Sequence, residues 1–527
     1  MRKLVVFTSD LSYTVRRNIV ELDDRAPGLS WLVLVHAPER TPKRLLKSQW
    51  LNLRRNGWRW IPYQVSDILR RLRSAPAAGP GPQAPGGEYE LEVLRDRGNV
   101  RIVRVDDIHG EACLAMVREF APALGLSLAA PILRAPLFTL PAFGTINLHK
   151  GKLPEFRGMP PSFWEIWSDQ ASVGCSVHRV NEKLDQGDLL AEGRVGRERY
   201  STPRGLQVRL DEIGVDLVCE VAIAMLEGRA PEPIAQRGEG RTWRKPTLAQ
   251  QAEMKRRLKR MEPPGQAPAK LAVKNLWSRL AFAWHRFAGW RLAAPRVTVL
   301  LYHRVCDDAR DNLSVGVEQF ERQMLLLRRH CELLSIDQVL SMDQVHRSRR
   351  PLVAVSFDDG YRDNWLNAAP ILRRHRVPCS FYVSTGIVDT EHRFPHDVRR
   401  GNAAIPVMSW DEIRALKGAG FTVGSHTVNH IDCVAESAET VRDELRQSRV
   451  DIDRELGTQE MILAYPYGGR HQMNDERREL VREAGYRGCL AAYGGSNIGT
   501  IDRWNVMRRG IHWQFTDAAF LYQCLGR

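Results

Sequence analysis

The chain contains no run of about 18 apolar residues, so a membrane-spanning helix is not expected. Its most apolar region, Leu124 to Leu148, is broken by Pro131, Arg134, Pro136 and Pro141. A secretory leader is not expected either. Met1-Arg2-Lys3 is followed by only Leu4 to Phe7 before Thr8, Ser9 and Asp10, which reads as a buried first strand. The nine cysteines are scattered, odd in number and never spaced C-x-x-C. That pattern argues against a disulfide framework and for a reducing compartment, so a cytoplasmic location is expected. Acidic residues are scarce in one place. Between Gly240 and Arg296 there are 14 Lys/Arg against two acids, Glu253 and Glu262, which accounts for +12 of the net +15. The rest of the chain is nearly neutral. A general nucleic-acid-binding surface would not concentrate charge in this way, so no nucleic-acid partner is expected.

With 527 residues the chain is too long for one ordinary core, and two or three domains are expected. Residues 1–240 read as one α/β unit, with short apolar runs at Leu4–Phe7 and Leu32–Val35 separated by a helix-length polar segment. Residues Ala75 to Gly87 are Pro/Gly/Ala-rich and are expected to form a surface loop. Residues 241–295 form a basic, Trp-rich connector. Within it Val273, Leu276, Trp277, Leu280, Trp284 and Phe287 recur at helical spacing and predict an amphipathic helix over 271–293. Such a helix suits either an anionic membrane surface or packing on one of the chain's own domains, and the second reading is preferred because periodicity does not name the surface covered. Arg291 falls within the apolar face and weakens the pattern. Residues 296–527 form a second unit, with strands expected at 297–302, 352–357, 381–383, 422–424 and 462–464 alternating with helices. Motif residues fall just after these strands, as a (β/α) barrel would place them.

The second unit carries Ser356-Phe357-Asp358-Asp359-Gly360 and Ser425-His426-Thr427-Val428-Asn429-His430. One Asp and two His can hold a Zn²⁺-like ion with a position left open, and the second Asp is then available as a base. Metal-assisted hydrolysis is the reaction type these residues point to. Either cluster alone reads equally well as turn or loop chemistry. Together, each following an apolar strand and supplying complementary ligand types, they do not.

These motifs, with Leu301-Tyr302-His303-Arg304-Val305 and Ala464-Tyr465-Pro466-Tyr467-Gly468, resemble the polysaccharide deacetylases, a carbohydrate esterase family. The resemblance implies that Asp358 is the general base and that Asp359, His426 and His430 hold a divalent metal. Zn²⁺ is the first expectation, with Co²⁺, Fe²⁺ or Ni²⁺ as alternatives. It also implies that Tyr467 offers its backbone N–H to the oxyanion and that a late histidine, best matched by His512, protonates the leaving amine. Many family members place an arginine before the third-motif proline. Here that stretch is Ala464-Tyr465, which leaves Arg508, Arg509 or no residue at all in that role.

The first unit holds Asn147, His149 and Asp185, a workable acyl-transfer set: a proton shuttle, an oxyanion donor and an orienting carboxylate. The strings INLHKGKLPEFRG and GCSVHRVNEKLDQGD resemble the 10-formyltetrahydrofolate-dependent formyltransferases. That resemblance implies a Rossmann-like fold, 10-formyltetrahydrofolate as formyl donor, and Asn147, His149 and Asp185 as catalytic residues. The usual serine and leucine after the histidine are Gly151 and Lys152 here. A tRNA formyltransferase would carry a separate basic C-terminal barrel, for which residues 200–240 are too short, so a sugar amine is the expected acceptor.

The combined expectation is an α/β chain, a Rossmann-like formyltransferase domain followed by a distorted (β/α) barrel deacetylase. It would act on a nucleotide- or lipid-linked amino sugar or polysaccharide, with a peripheral inner-membrane contact through 271–293 as the less favoured alternative to packing on its own domain. The alternatives are a polysaccharide deacetylase with a degenerate first domain, and a non-catalytic carbohydrate-binding scaffold. Intact metal ligands and an intact base argue against the scaffold.

Overall fold

Along the first strand, side chains alternate between two helical layers, as a period of two requires. In the computed structural model, which describes residues 2–38, 41–65, 98–263, 268–399, 405–459 and 461–526, this strand is β1 (Arg2–Thr8). The loop expected at 75–87 lies outside those residues. Leu4 and Val6 pack with Val15, Ile19 and Leu22, whereas Val5 and Phe7 pack with Cys113, Leu114 and Val117. A strand buried on both faces reads as a continuous apolar run, which is why LVVF carries no alternation.

After β1 come α1 (Tyr13–Arg25), β2 (Leu29–His36), α2 (Pro42–Asn56), β3 (Val100–Val105), α3 (Glu111–Phe120), β4 (Leu124–Ser127) and β5 (Thr145–His149). Then follow β6 (Ser172–Arg179), β7 (Leu189–Gly196), the long α4 (Pro203–Leu226) and α5 (Leu248–Met261). Sheet order is β3-β2-β1-β4-β5-β6-β7. The first five strands run parallel, and β6 and β7 are antiparallel. This is the expected Rossmann-like arrangement with two antiparallel strands added. The order reverses between β1 and β4, and ligands of such sheets bind beyond the C-terminal strand ends near that reversal.

The first compact unit runs to Met261 and the second starts at Glu262. The basic stretch 241–295 is therefore divided between them. Thr242–Trp243 pairs with Arg157–Gly158, and Met254 of α5 is buried beside Phe156, Phe163 and Trp164.

The second unit opens with α6 (Pro268–Trp284), continued by a π-helical turn, His285–Gly289, and Trp290–Leu292. Next come β8 (Arg296–Tyr302), α7 (Val317–His330), β9 (Leu352–Phe357), α8 (Ala369–His375), β10 (Cys379–Val383), α9 (Trp410–Gly418), β11 (Thr422–Ser425), α10 (Ala438–Leu456), β12 (Ile462–Ala464), β13 (Gly488–Leu490), β14 (Arg508–Gly510) and α11 (Asp517–Cys524). Strands β8 to β13 form a parallel sheet in the order β13-β12-β11-β10-β9-β8. The sheet curls. β14 pairs with β8, and Val506 just before it bridges to Leu490 of β13, so the two ends of the curl come together. Val297, Val299, Tyr382, Ile462, Ala464 and Leu490 pack in one core cluster of this distorted barrel. No described helix is long and apolar enough to cross a membrane.

Candidate active sites

Phe357 ends β9 and the chain turns at once, so Asp358 and Asp359 stand at the C-terminal rim of the barrel. Ser425 ends β11 and delivers His426 to the same rim. Asp359, Thr427, His430 and Tyr467 all have positive φ, between 55° and 71°. Non-glycine residues rarely occupy this region, and where they do the surroundings hold them there, often at functional sites. Part of that hold is visible. Glu444 of α10 accepts hydrogen bonds from the backbone N–H groups of Val428 (2.8 Å) and Asn429 (2.9 Å), fixing the loop between the two histidines.

Asp359, His426 and His430 are all buried, and one ligand atom from each lies within 4.8 Å of the others. His426 Nδ1 sits 2.7 Å from the Ala464 carbonyl oxygen, an acceptor, so the proton is assigned to Nδ1 and the Nε2 lone pair faces Asp359. The Nε2 atoms of His426 and His430 lie 3.4 and 3.3 Å from Asp359 Oδ1. Yet among the described residues neither buried carboxylate oxygen of Asp359 accepts a hydrogen bond. Two nitrogens and an orphaned buried carboxylate converging on one point fit a divalent cation.

Asp358 has a different partner. Arg508 Nη1 and Nη2 donate to its two oxygens at 2.7 and 2.6 Å, with both side chains buried. Burial alone would raise the Asp358 pKa. The Arg508 guanidinium, His426 and His303 outweigh it and hold the carboxyl below its ordinary value. Arg508 therefore supplies the guanidinium that the third motif lacks, whereas Arg509 donates to the Gly495 carbonyl and to Gln523.

His303 follows β8 at the same rim, within electrostatic reach of Asp359, Asp358, Arg508 and His426. Burial holds its imidazole below the ordinary 6.5, although both carboxylates pull it up. His512 follows β14, whose Gly510 pairs with Leu301 in parallel, so it leaves the barrel at the same strand ends as His303. Its ring lies 4.7 Å from that of Phe515, and burial with Lys274 nearby holds its imidazole below the ordinary 6.5. The Tyr467 ring lies 5.0 Å from that of His430, and its backbone N–H has no partner among the described residues. His396 stands beside the ligand set, its Nε2 3.7 Å from Asp359 Oδ2 and 2.9 Å from the Tyr361 hydroxyl. Sequence reading quoted His303 only as part of a strand motif and did not single out His396 or Glu444. The only advance signal for His303 was its place directly after an apolar strand.

In the first unit Asn147 and His149 end β5, Ser127 ends β4 and His178 lies on β6. His149 Nε2 is 2.7 Å from the Phe156 carbonyl oxygen, which assigns its proton to Nε2 and leaves Nδ1 facing Asp185 Oδ2 at 3.5 Å. Burial pushes His149 below 6.5, against the pull of Asp185. Asp185 accepts the Gly158 N–H at 3.0 Å and lies 3.7 Å from His178 Nε2. Burial would raise its pKa, and His178, His149 and the Gly158 N–H bring it below the ordinary value. His178 Nδ1 bonds the Arg179 carbonyl at 2.8 Å, so its Nε2 accepts from Asn147 Nδ2 at 3.0 Å. Ser127 donates to Asn147 Oδ1 at 2.8 Å. The carboxamide is thus held with one N–H toward His178 and the second available. The structure brings all three sequence-predicted residues together and adds His178 and Ser127.

Gly151 has a steric explanation. A Cβ there would lie 2.5 Å from the Phe156 oxygen and 2.6 Å from His149 Nε2, so no serine fits this loop. Gly187 is tighter still, because a Cβ would run into the Arg179 carbonyl.

The chain is thus in two parts: an Asn/His/Asp cluster on a Rossmann-like sheet and an Asp/Asp/His/His cluster at the rim of a distorted barrel. Residues 112–221 match the formyl transferase family model, and residues 346–489 match the polysaccharide deacetylase model. The chain therefore joins a formyltransferase region to a polysaccharide deacetylase region. It is 35% identical over 154 residues to the methionyl-tRNA formyltransferase of Geobacillus thermodenitrificans, covering 29% of this chain and 48% of the relative. It is 21% identical over 194 residues to YxkH of Bacillus subtilis, whose name places it with the polysaccharide deacetylases, covering 36% of this chain and 63% of the relative. Each match thus spans about half to three-fifths of the relative. Among solved structures, the Streptococcus pyogenes deacetylase PplD aligns over 44% of this chain and 99% of its own, with 21% identity and a TM-score of 0.37. A sugar N-formyltransferase from Shewanella aligns over 48% of this chain and 87% of its own, with 15% identity and a TM-score of 0.32.

Proposed function

We propose that the chain is a bifunctional amino-sugar enzyme that hydrolyses an N-acyl group at the Asp358/Asp359 site and transfers a formyl group to a sugar amine at the His149/Asp185 site. The observation that carries this reading is that each site is assembled from side chains far apart in sequence, each held by its own hydrogen bonds. A degenerate domain would not be expected to keep such supports.

In the hydrolase, Asp359, His426 and His430 would hold a divalent metal, Zn²⁺ first, with Co²⁺, Fe²⁺ or Ni²⁺ compatible with the same donors. When bound, the ion would polarise the acyl carbonyl and make water more acidic. Asp358, kept ionised and aimed by Arg508, takes a proton from the attacking water. The Tyr467 backbone N–H donates to the carbonyl oxygen as it gains charge. A histidine at the same strand ends, His512 as the resemblance implies or His303 beside it, returns the proton to the leaving nitrogen, so the amide and water become an amine and a carboxylate.

In the transferase, the sugar amine attacks the formyl carbon of 10-formyltetrahydrofolate. The second N–H of Asn147 donates to the developing oxyanion. His149 Nδ1 accepts the amine proton, and the Asp185 carboxylate on that side stabilises the imidazolium that results. A folate donor favours a cytoplasmic, nucleotide- or lipid-linked substrate over an extracellular polymer. The removed acyl group is acetyl, unmasking an amine for formylation, or formyl, reversing it. Incubating the protein with 10-formyltetrahydrofolate and a panel of nucleotide-linked amino sugars tests the transferase half. Formylated sugar supports it, and deacylation without any transfer would leave only a deacetylase.

A further inference from the structure

Helix α6 and its continuation to Leu292 face the wrong way for a helix that only joins two domains. Among the residues turned inward are Leu271, Asn275, Ser278, Phe282, His285 and Gly289, with Trp290 partly buried at the helix end, so this side has few large apolar side chains. They seat the helix on its own unit. Asn275 is hydrogen-bonded to Thr516, and the Phe282 ring lies edge-on to His330 at 5.6 Å. Arg347 donates to the carbonyls of Arg291 (2.8 Å) and Ala293 (2.7 Å) at the helix end. The preferred expectation, packing on its own domain, is thus met, but through the opposite face.

The apolar stripe read from the sequence points outward. Trp277 is 65% exposed, Trp284 51% and Phe287 81%, and Val273, Leu276 and Leu280 are exposed with them. A row of six large apolar side chains left outside is not how a protein treats ordinary surface. Its surroundings are of one sign. Residues 268–292 contain Lys270, Lys274, Arg279, Arg286 and Arg291 and no Asp or Glu. Arg286 is further surrounded by Arg349, Arg350 and Arg329; burial and these like charges hold its guanidinium below the ordinary value. Outward Trp, Leu and Phe flanked by cations complement a surface that is apolar inside and anionic at its rim.

We propose that the outward face of helix 268–292 docks on an anionic lipid bilayer, lying parallel to its surface. The docking does not depend on either proposed activity. It deepens them by favouring a lipid-linked amino sugar as the substrate. The test is co-sedimentation of the full chain with phosphatidylcholine vesicles, with and without about 30% phosphatidylglycerol, a composition that gives a negative surface potential. Binding is expected to be about tenfold or more stronger on the anionic vesicles. The variant Leu276→Gln/Trp277→Gln/Leu280→Gln should weaken it by about tenfold or more, with unchanged thermal melting and unchanged deacylation of a soluble substrate. The variant Lys274→Gln/Arg279→Gln should bring anionic binding toward the neutral-vesicle level. A wild-type chain that stays in the supernatant with both vesicles overturns the proposal, as does a triple variant that sediments like wild type. A wild-type dimer that the triple variant converts to monomer, without vesicle binding, assigns the face to a second copy and overturns it too.

Discussion

Replacing Arg508 with methionine tests the electrostatic support of the hydrolase site. The guanidinium is fully buried and makes four hydrogen bonds: two to Asp358, one to the Ala491 carbonyl at 2.7 Å and one to Ser356 Oγ at 3.3 Å. Methionine fills much of the volume but donates nothing. It leaves a buried carboxylate uncompensated, which costs about 3–5 kcal/mol. The orphaned Ala491 carbonyl adds roughly 1 kcal/mol. For a unit of this size each kcal/mol moves the melting temperature by about 2–4 °C. The expected shift is therefore on the order of 10 °C or more, confined to the transition of the C-terminal unit. Calorimetry of the full chain resolves this, with formyl transfer as the control for the other unit. The double variant Asp358→Asn/Arg508→Met removes both charges, so its loss should fall short of the summed single losses by about 2 kcal/mol or more. A shift below about 2 °C for Arg508→Met, or strict additivity in the cycle, would refute the reasoning.

Three further outcomes follow from the geometry. His512→Gln and His303→Gln separate the two candidates for the acid: removing the one that protonates the leaving amine should slow deacylation by about 10²-fold or more, and steady-state rates on one substrate decide between the two histidines. Gly151→Ala should impair formyl transfer and cost about 1–3 kcal/mol, because its Cβ meets the Phe156 carbonyl and His149, and a variant with wild-type rate and stability would contradict that packing. For formyl transfer, the base works as neutral His149, whose pKa burial lowers from 6.5. The acid limb of kcat/KM should therefore fall below pH 6.5, and Asp185→Asn, which removes the carboxylate that pulls this pKa up, should move the limb lower still while reducing the rate.

Much of the fold was legible because it lies in local pattern. The runs Leu4–Phe7, Leu32–Val35 and Leu352–Phe357 are strands, and the Asp-Asp and His-x-x-x-His clusters fall at strand ends as a barrel requires. What stayed hidden depends on distant partners. Arg508 lies 150 positions from Asp358, and only the curl that brings β14 beside β8 lets it reach. His303 was in view but carried no local sign that it would share the rim with both carboxylates. His178 was hidden because its role depends on an antiparallel pairing between β5 and β6 that sets it opposite Asn147. Helix 268–292 shows a further limit. Periodicity found the apolar stripe correctly, but which stripe faces inward is decided by what the neighbouring elements offer, here a hydroxyl on Thr516 and a ring on His330.

The central claim is that two independent sites act on one acyl–nitrogen position of an amino sugar. Mass spectrometry of the sugar product from wild type, Asp185→Asn and Asp359→Ala tests it most directly. The account predicts that wild type performs both reactions, that Asp185→Asn keeps deacylation and loses formyl transfer, and that Asp359→Ala keeps formyl transfer and loses deacylation. Wild-type protein that deacylates but never formylates, or variants that lose both reactions together while remaining folded, would contradict it.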